Sequence, residues 1–456
     1  MGTVSDIVEF HQMGSLPQLD FANTSRRGIA DYFDNTWHLT DILFSSLDPA
    51  AFYVSPYHRL RHPLIFYYAH PAVLYINKLR VAGLLDGPVD SYFEEIFEVG
   101  VDEMSWDDMS KNDMEWPSLQ AVVDYRRRVY QIVKTMIETH PALDPADGYA
   151  NGRPGWALLM AFEHERIHLE TSSVLIRELP LTYVKRPNRW PPNAPGRDSN
   201  LANNWLSLKP TRVRLGKPDD VTTFGWDNEY GTREKDVPAF QVSQYLISNR
   251  EFLEFVEDGG YHEERYWSDE GWRWRQFRNA KWPSFWVPDG PAGLNQFKIR
   301  TIFEVVEFRP SWPAIVNYHE AKAYCAWKTQ RHYVGKPYRL LTEAEQHSLR
   351  QITGAEYRWN IGLVHGSESP VDMYVSQAGA GDVFGNVWQW SQDTFNPLPG
   401  FKVHRYYDDF STPCFDGRHQ MIFGGSFVST GDEASPWARF HFRPHFFQHA
   451  GFRICR

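Results

Sequence analysis

Three cysteines in 456 residues, Cys325, Cys414 and Cys455, are too few and too irregularly spaced for a disulfide framework or a multi-cysteine metal knuckle. Such scarcity fits a reducing compartment, and the cytoplasm is the expected location. No run of 18 apolar residues exists, so no transmembrane helix is expected. Met1 to Gly14 lack a basic stretch followed by an apolar one, so no secretory signal is expected. Met1-Gly2 is followed by Asp6 where a myristoylation signal needs Ser or Thr. There is no excess of positive charge: 47 basic against 57 acidic residues give a net charge of -10, which excludes an electrostatic footprint for nucleic acid. There is no internal repeat and no low-complexity tract. What is abundant is aromatic surface, with 18 Trp and 23 Tyr, side chains that fill cores and also line pockets.

A chain of this length predicts two or three domains. Residues 1–185 read as helical. Ile29, Tyr32, Phe33, Trp37 and Leu43 recur at helical spacing, and Asp48-Pro49 ends that run. Pro63 to Leu85 is almost continuously apolar, with Pro71 expected to kink it by removing a backbone hydrogen bond. A third helix is expected to open at Pro117 and to present Leu119, Val122, Val123, Tyr130, Val133 and Ile137 on one face. A fourth runs from Trp156 to Leu179. Four such helices predict a four-helix bundle, whose core commonly carries metal sites. Residues 186–204, with four prolines, predict a linker. Residues 205–456 change to short strands and Gly- and Trp-rich loops, with helices expected at Asn317 to Lys328 and near Glu343 to Gln351. The fold class is therefore a helical bundle followed by an α/β domain.

The fourth helix contains His164-Glu165-Arg166-Ile167-His168, an H-E-x-x-H in which residues four apart share a face and both imidazoles can reach one metal ion. The motif is familiar from zinc proteases with the Glu as general base. Thr171 and Val174 stand where the extended protease motif needs Gly and His, and no Asp or Glu occurs between Glu178 and Asp198 to act as a downstream ligand. A third ligand must come from elsewhere. His70 is the candidate, set among Phe66, Tyr67, Tyr68 and Leu74, with His58 and His62 as competitors nearer the helix start. Three neutral imidazoles suit iron, copper or zinc, so the ligand type does not choose.

The blocks Phe66-Tyr67-Tyr68-Ala69-His70-Pro71, Val101-Asp102-Glu103-Met104-Ser105-Trp106-Asp107-Asp108-Met109-Ser110 and Phe162 to Ser173 resemble the ovothiol branch of the non-haem iron sulfoxide synthases, the 5-histidylcysteine sulfoxide synthases. The ergothioneine branch tends to have Gln where Ile167 stands, and arginines for a γ-glutamyl substrate near Met104 to Asp108. Residues 26–180 thus resemble a DinB-type bundle. The second half is similar to the formylglycine-generating-enzyme fold, through Asn317 to Ala321, Arg339 to Glu345, Gly385 to Trp390, Gly424-Gly425-Ser426 and Gly451-Phe452-Arg453. Gly425 and Gly451 are expected in turns, and Trp388 and Trp390 in the core. Formylglycine generation itself needs a reactive cysteine pair, and Cys414 and Cys455 lie far apart in sequence.

The resemblance implies Fe(II) as cofactor on His70, His164 and His168, with L-cysteine, L-histidine and O2 as small-molecule partners and a histidylcysteine sulfoxide as product. It implies a tyrosine near the metal as proton or electron donor, for which Tyr407 is preferred and Tyr406 held in reserve. Arg443 is the expected carboxylate clamp, because its planar fork matches two oxygens. The run around it supplies His445, Phe446 and Gln448 as pocket residues, and Asp107 and Asp108 are candidates for a substrate ammonium. No dinucleotide-like Gly-rich segment is present, so S-adenosylmethionine is not an expected partner. Two other readings stay open: an ergothioneine- or selenoneine-type synthase acting on hercynine, and a non-catalytic DinB-like metal-binding protein.

Overall fold

The structure, a computed structural model, describes residues 14–54, 61–98, 115–196, 202–291, 293–333, 335–353 and 359–456. The N-terminal half is built on α1 (Arg26–Phe44), α2 (Leu64–Val81), α3 (Ser91–Glu98), α4 (Leu119–Thr139) and α5 (Pro154–Glu178). α1 starts where the Ser25 hydroxyl accepts the Gly28 N–H, and α4 where the Ser118 hydroxyl accepts from Ala121. Pro117 therefore precedes the cap and is not the first helical residue. α2 is apolar nearly all round because it is the central helix, packed on α3, α4 and α5. It runs through Pro71, which has no N–H to offer the carbonyl of Tyr67.

All of α5 except Pro154, Ile167 and Glu178 is buried, although the helix contains several charged residues. The reason is that α5 is the seam of the molecule. At 100° per residue, Glu163, Glu170 and Arg177 fall on one stripe, seven residues apart. Glu163 accepts the Asp432 N–H at 2.7 Å and the Tyr32 hydroxyl at 2.7 Å. Glu170 accepts from Trp388 Nε1 at 2.6 Å and from the hydroxyls of Ser426 and Ser429. Arg177 donates to the Arg300 carbonyl at 2.7 Å and pairs with Glu368. The stripe faces the second half of the chain, while His164 and His168 face α2.

The second half adds α6 (Asn249–Glu257), α7 (Asp269–Arg278), α8 (Tyr318–Arg331) and α9 (Glu343–Thr353) around short-stranded sheets. One four-stranded antiparallel sheet has the spatial order Trp205–Leu208, Phe240–Ser243, Ile454–Cys455, Arg339–Leu340. The other has the order Phe440–Phe442, Gln420–Phe423, Trp388–Thr394, Ala450–Gly451, its last pair parallel. Gly425 has φ +75°, as a turn requires. Gly451 is instead in a strand, where a Cβ would stand 2.8 Å from the Ala314 carbonyl oxygen, so close backbone approach explains it. One apolar cluster runs from Ile29 to Ile454 across both halves. No helix among the described residues is long and apolar enough to cross a membrane.

Candidate functional site

His70 on α2 and His164 and His168 on α5 are all buried, and one ligand nitrogen from each lies within 4.8 Å of the other two. The imidazole centroids are 5.0 Å apart for His70 and His164, 4.8 Å for His70 and His168, and 4.4 Å for His164 and His168. His164 and His168 approach through their Nε2 atoms, 3.2 Å apart. The His70 Nδ1 stands 2.5 Å from the Phe97 carbonyl oxygen, so it carries the proton and leaves the lone pair on Nε2. The Phe66 ring stacks on His70 at 4.9 Å and fixes its plane. Burial, reinforced by the neighbouring imidazoles, holds His164 and His168 well below the usual histidine range. They are therefore neutral, the form in which imidazole binds a metal.

Glu165 turns away from this face. It is fully buried, accepts the Tyr75 hydroxyl at 2.9 Å, and lies 3.5 Å from the Arg126 guanidinium. A carboxylate so engaged is a packing partner of the bundle and is not aimed at a metal-bound water.

Around the triad, Tyr407 lies 6.2 Å from His164 between ring centroids. Burial raises its phenol above the usual range, so the hydroxyl keeps its proton. Tyr406 sits elsewhere, its ring 5.3 Å from His404 and its hydroxyl bonded to Arg405. Phe446 is buried under the Arg61 guanidinium, 5.2 Å from its ring centroid. Arg61 Nε donates to the Tyr67 hydroxyl at 3.1 Å, and the Tyr67 ring is 5.9 Å from His168. Gln448 is buried, and its side-chain nitrogen has no hydrogen-bond partner among the described residues. Its neighbour His449 contacts Ser173 on α5 at 2.8 Å.

The structure does not bring Arg443 and His445 to the triad. Both line a cavity of about 460 Å³ with Arg273, His319 and Arg418, and none of the lining residues lies on α2 or α5. Arg443 faces Asp416 at 3.7 Å. The reason is position: Arg443 directly follows the strand Phe440–Phe442 and turns to Asp416, whereas Phe446, three residues further on, meets Arg61. Asp107 and Asp108, like His58, lie outside the described residues.

Two nearby residues escape a reading of the sequence. Arg61 is buried with its charge felt at His168. Lys78, eight residues after His70 on α2, is buried and places its Nζ 3.7 Å from the Tyr407 ring centroid. Burial lowers its ammonium to about 8, against the opposing pull of Asp409, Glu98 and Asp408. The available signal was a lysine inside an apolar helix that otherwise had no need of one.

Comparison with known proteins places these features in a family. Residues 32–172 match the DinB superfamily, and residues 196–456, more than half of the chain, match the sulfatase-modifying factor enzyme 1-like domain. The hercynine oxygenase of Mycolicibacterium smegmatis is 30% identical over 314 residues, which cover 63% of this chain and 68% of the relative. The hercynine oxygenase of Mycobacterium tuberculosis is 33% identical over 44% of this chain and 48% of its own length. Ergothioneine biosynthesis protein 1 of Schizosaccharomyces pombe is 23% identical over 81% of this chain and 48% of its own length. These relatives support the wider sulfoxide synthase family and do not single out the ovothiol branch. With both of its domains matched in that order, the chain belongs to the family of the hercynine oxygenases.

Proposed function

We propose that the protein is an O2-dependent oxidoreductase that joins the sulfur of a cysteine-type thiol to an imidazole carbon with sulfoxidation, using Fe(II) held by His70, His164 and His168. The observation that carries this reading is the buried three-imidazole cluster between α2 and α5, with His164 and His168 held neutral and Tyr407 beside it. The donor set fits a metal with open positions for substrate, because three neutral imidazoles supply no charge and leave coordination sites unfilled. Iron, when bound, supplies the one-electron and O2 chemistry that no side chain performs alone.

The remaining work belongs to this chain's residues. The Phe97 carbonyl orients His70 by accepting its Nδ1 proton. The Tyr407 hydroxyl, kept protonated by burial, is the donor for a proton at the reacting centre. Arg61, held by Tyr67 and Phe446, is the guanidinium placed to receive a substrate carboxylate. The surrounding aromatic rings exclude water.

Two imidazole substrates compete. The names of the curated relatives favour hercynine. The Phe162 to Ser173 block and Ile167 within it favour L-histidine with L-cysteine. The test is anaerobic loading with Fe(II), then cysteine with equal histidine and hercynine, then O2, with mass spectrometry of the products. A trimethylated adduct assigns hercynine and an unmethylated one assigns histidine. Absence of O2 uptake with either sinks the catalytic reading and leaves a metal-binding protein. Stoichiometric zinc with peptide cleavage that disappears in Glu165→Gln would instead restore the protease.

A further inference from the structure

A second cluster of metal-type ligands lies in the other half of the chain. Cys414 ends the short turn Thr412–Cys414, His419 immediately precedes the strand Gln420–Phe423, and His441 is the middle of the strand Phe440–Phe442. The cysteine sulfur and one nitrogen of each imidazole all lie within 4.8 Å of one another.

The sheet explains the meeting of the two histidines. Met421 is the register partner of His441, and directly opposed residues share a face. Alternation along the strand puts position 419 on the same face as 421. The His419 and His441 rings accordingly stand perpendicular with centroids 5.0 Å apart. Cys414 is delivered from above, since it and Phe415 pack on Phe395, Met421 and Phe423. Both rings are also held. Phe395 stacks on His441 at 4.1 Å, and Asp416 Oδ1 stands 2.9 Å from His419 Nδ1. The carboxylate makes Nδ1 the N–H of His419 and leaves the lone pair on Nε2, the arrangement found behind histidines that bind zinc.

We propose that Cys414, His419 and His441 form a zinc site separate from the triad. One thiolate and two imidazoles suit this borderline ion better than the hard, oxygen-seeking cations. Around a tetrahedral zinc the donor atoms are roughly 3.3–3.8 Å apart, so the cluster closes on the ion by small side-chain rotations. Binding converts the thiol to thiolate and releases its proton to solvent, with no oxidant or reductant involved. The fourth position is left to water. Cys414 is seven residues beyond Tyr407 on the same connection, so the ion would tie that connection to the sheet.

Cobalt(II) tests the assignment on the metal-stripped full chain, because a thiolate ligand gives cobalt an intense charge-transfer band that three imidazoles do not. The expected result is such a band, saturating by two equivalents because the triad also takes cobalt, erased by zinc in the same amount and lost in both Cys414→Ser and His441→Gln. Each variant should also retain one zinc fewer than the parent by elemental analysis. No thiolate band in the parent, or a band that survives in Cys414→Ser, overturns the site. Displacement of cobalt by copper(I) but not by zinc overturns the choice of ion. The readout is independent of iron and of turnover, so it stands apart from the fate of the proposed reaction.

Discussion

The Lys78 ammonium lies over the ring of Tyr407, 3.7 Å from its centroid. One helix, α2, thus offers both His70 and a positive charge facing the phenol, an attraction of cation to π-face strengthened by burial. With its ammonium lowered to about 8, Lys78 is charged at neutral pH and loses that charge on the alkaline side. Lys78→Met keeps the aliphatic stem and deletes the charge. Turnover should fall by about tenfold at pH 7, with iron stoichiometry unchanged. The decline in rate above pH about 8 should be absent from the variant's pH profile. An identical profile in both proteins would remove Lys78 from the site.

Tyr407→Phe should load iron normally and change either the rate, by about 100-fold, or the ratio of sulfoxide to simple thiol oxidation. Tyr406→Phe, whose hydroxyl meets Arg405, should leave both within about twofold, a small effect on this scale. Metal analysis and product mass spectrometry on the two variants side by side decide between the neighbouring tyrosines.

Glu165→Gln separates a structural acid from a catalytic base. Loss of the carboxylate facing Arg126 and Tyr75 should cost about 1–3 kcal/mol of stability, read by denaturant unfolding, with metal binding retained. A variant with full stability and no activity would point back to general-base chemistry.

The seam gives a larger effect. Glu170→Ala removes the acceptor shared by Trp388, Ser426 and Ser429. The buried donors left behind should cost on the order of 3 kcal/mol. A drop in melting temperature without loss of secondary structure below the transition is the expected signature.

Glu320 predicts a pH effect of opposite sign to that of an ordinary carboxylate. Burial raises it from 4.5 to about 7, only partly offset by hydrogen bonds from Tyr261 and the Asn317 N–H. Because the fold holds the proton more tightly than the unfolded chain, the contribution is complete below pH 4.5 and is lost as pH rises to about 7. In Glu320→Gln the side chain is neutral throughout. The stability of the variant relative to the parent should therefore rise by up to roughly 3 kcal/mol between those limits. Parallel pH dependences in parent and variant would exclude Glu320 as the source.

α1, α2 and α5 are legible because each is long: apolar residues recur at helical spacing in α1, and α2 is an almost unbroken apolar run. His70 stood out as the polar member of an apolar run. The polar stripe Glu163, Glu170 and Arg177 is not legible in the sequence, because charged residues on a helix ordinarily mean a solvated face, whereas here they meet partners more than 100 residues away. α6 carried a readable start, Ser248 with Glu251 three residues on, yet it is short and lies among loops. α7, Asp269–Arg278, mixes aromatic and arginine side chains with no clean apolar face, so its helix is set by packing of Trp274 and by the Ser268 cap. Arg443 illustrates the converse: chemistry suited to a carboxylate, placed after a strand end in a cavity that no residue of α2 or α5 lines.

Because a single helix carries His164 and His168 on one side and holds the sheet-bearing half on the other, the proposed metal centre and the junction between the halves are expected to respond together. Anything that loosens the junction should be felt as weaker metal retention, and metal loading should raise the temperature at which the two halves part.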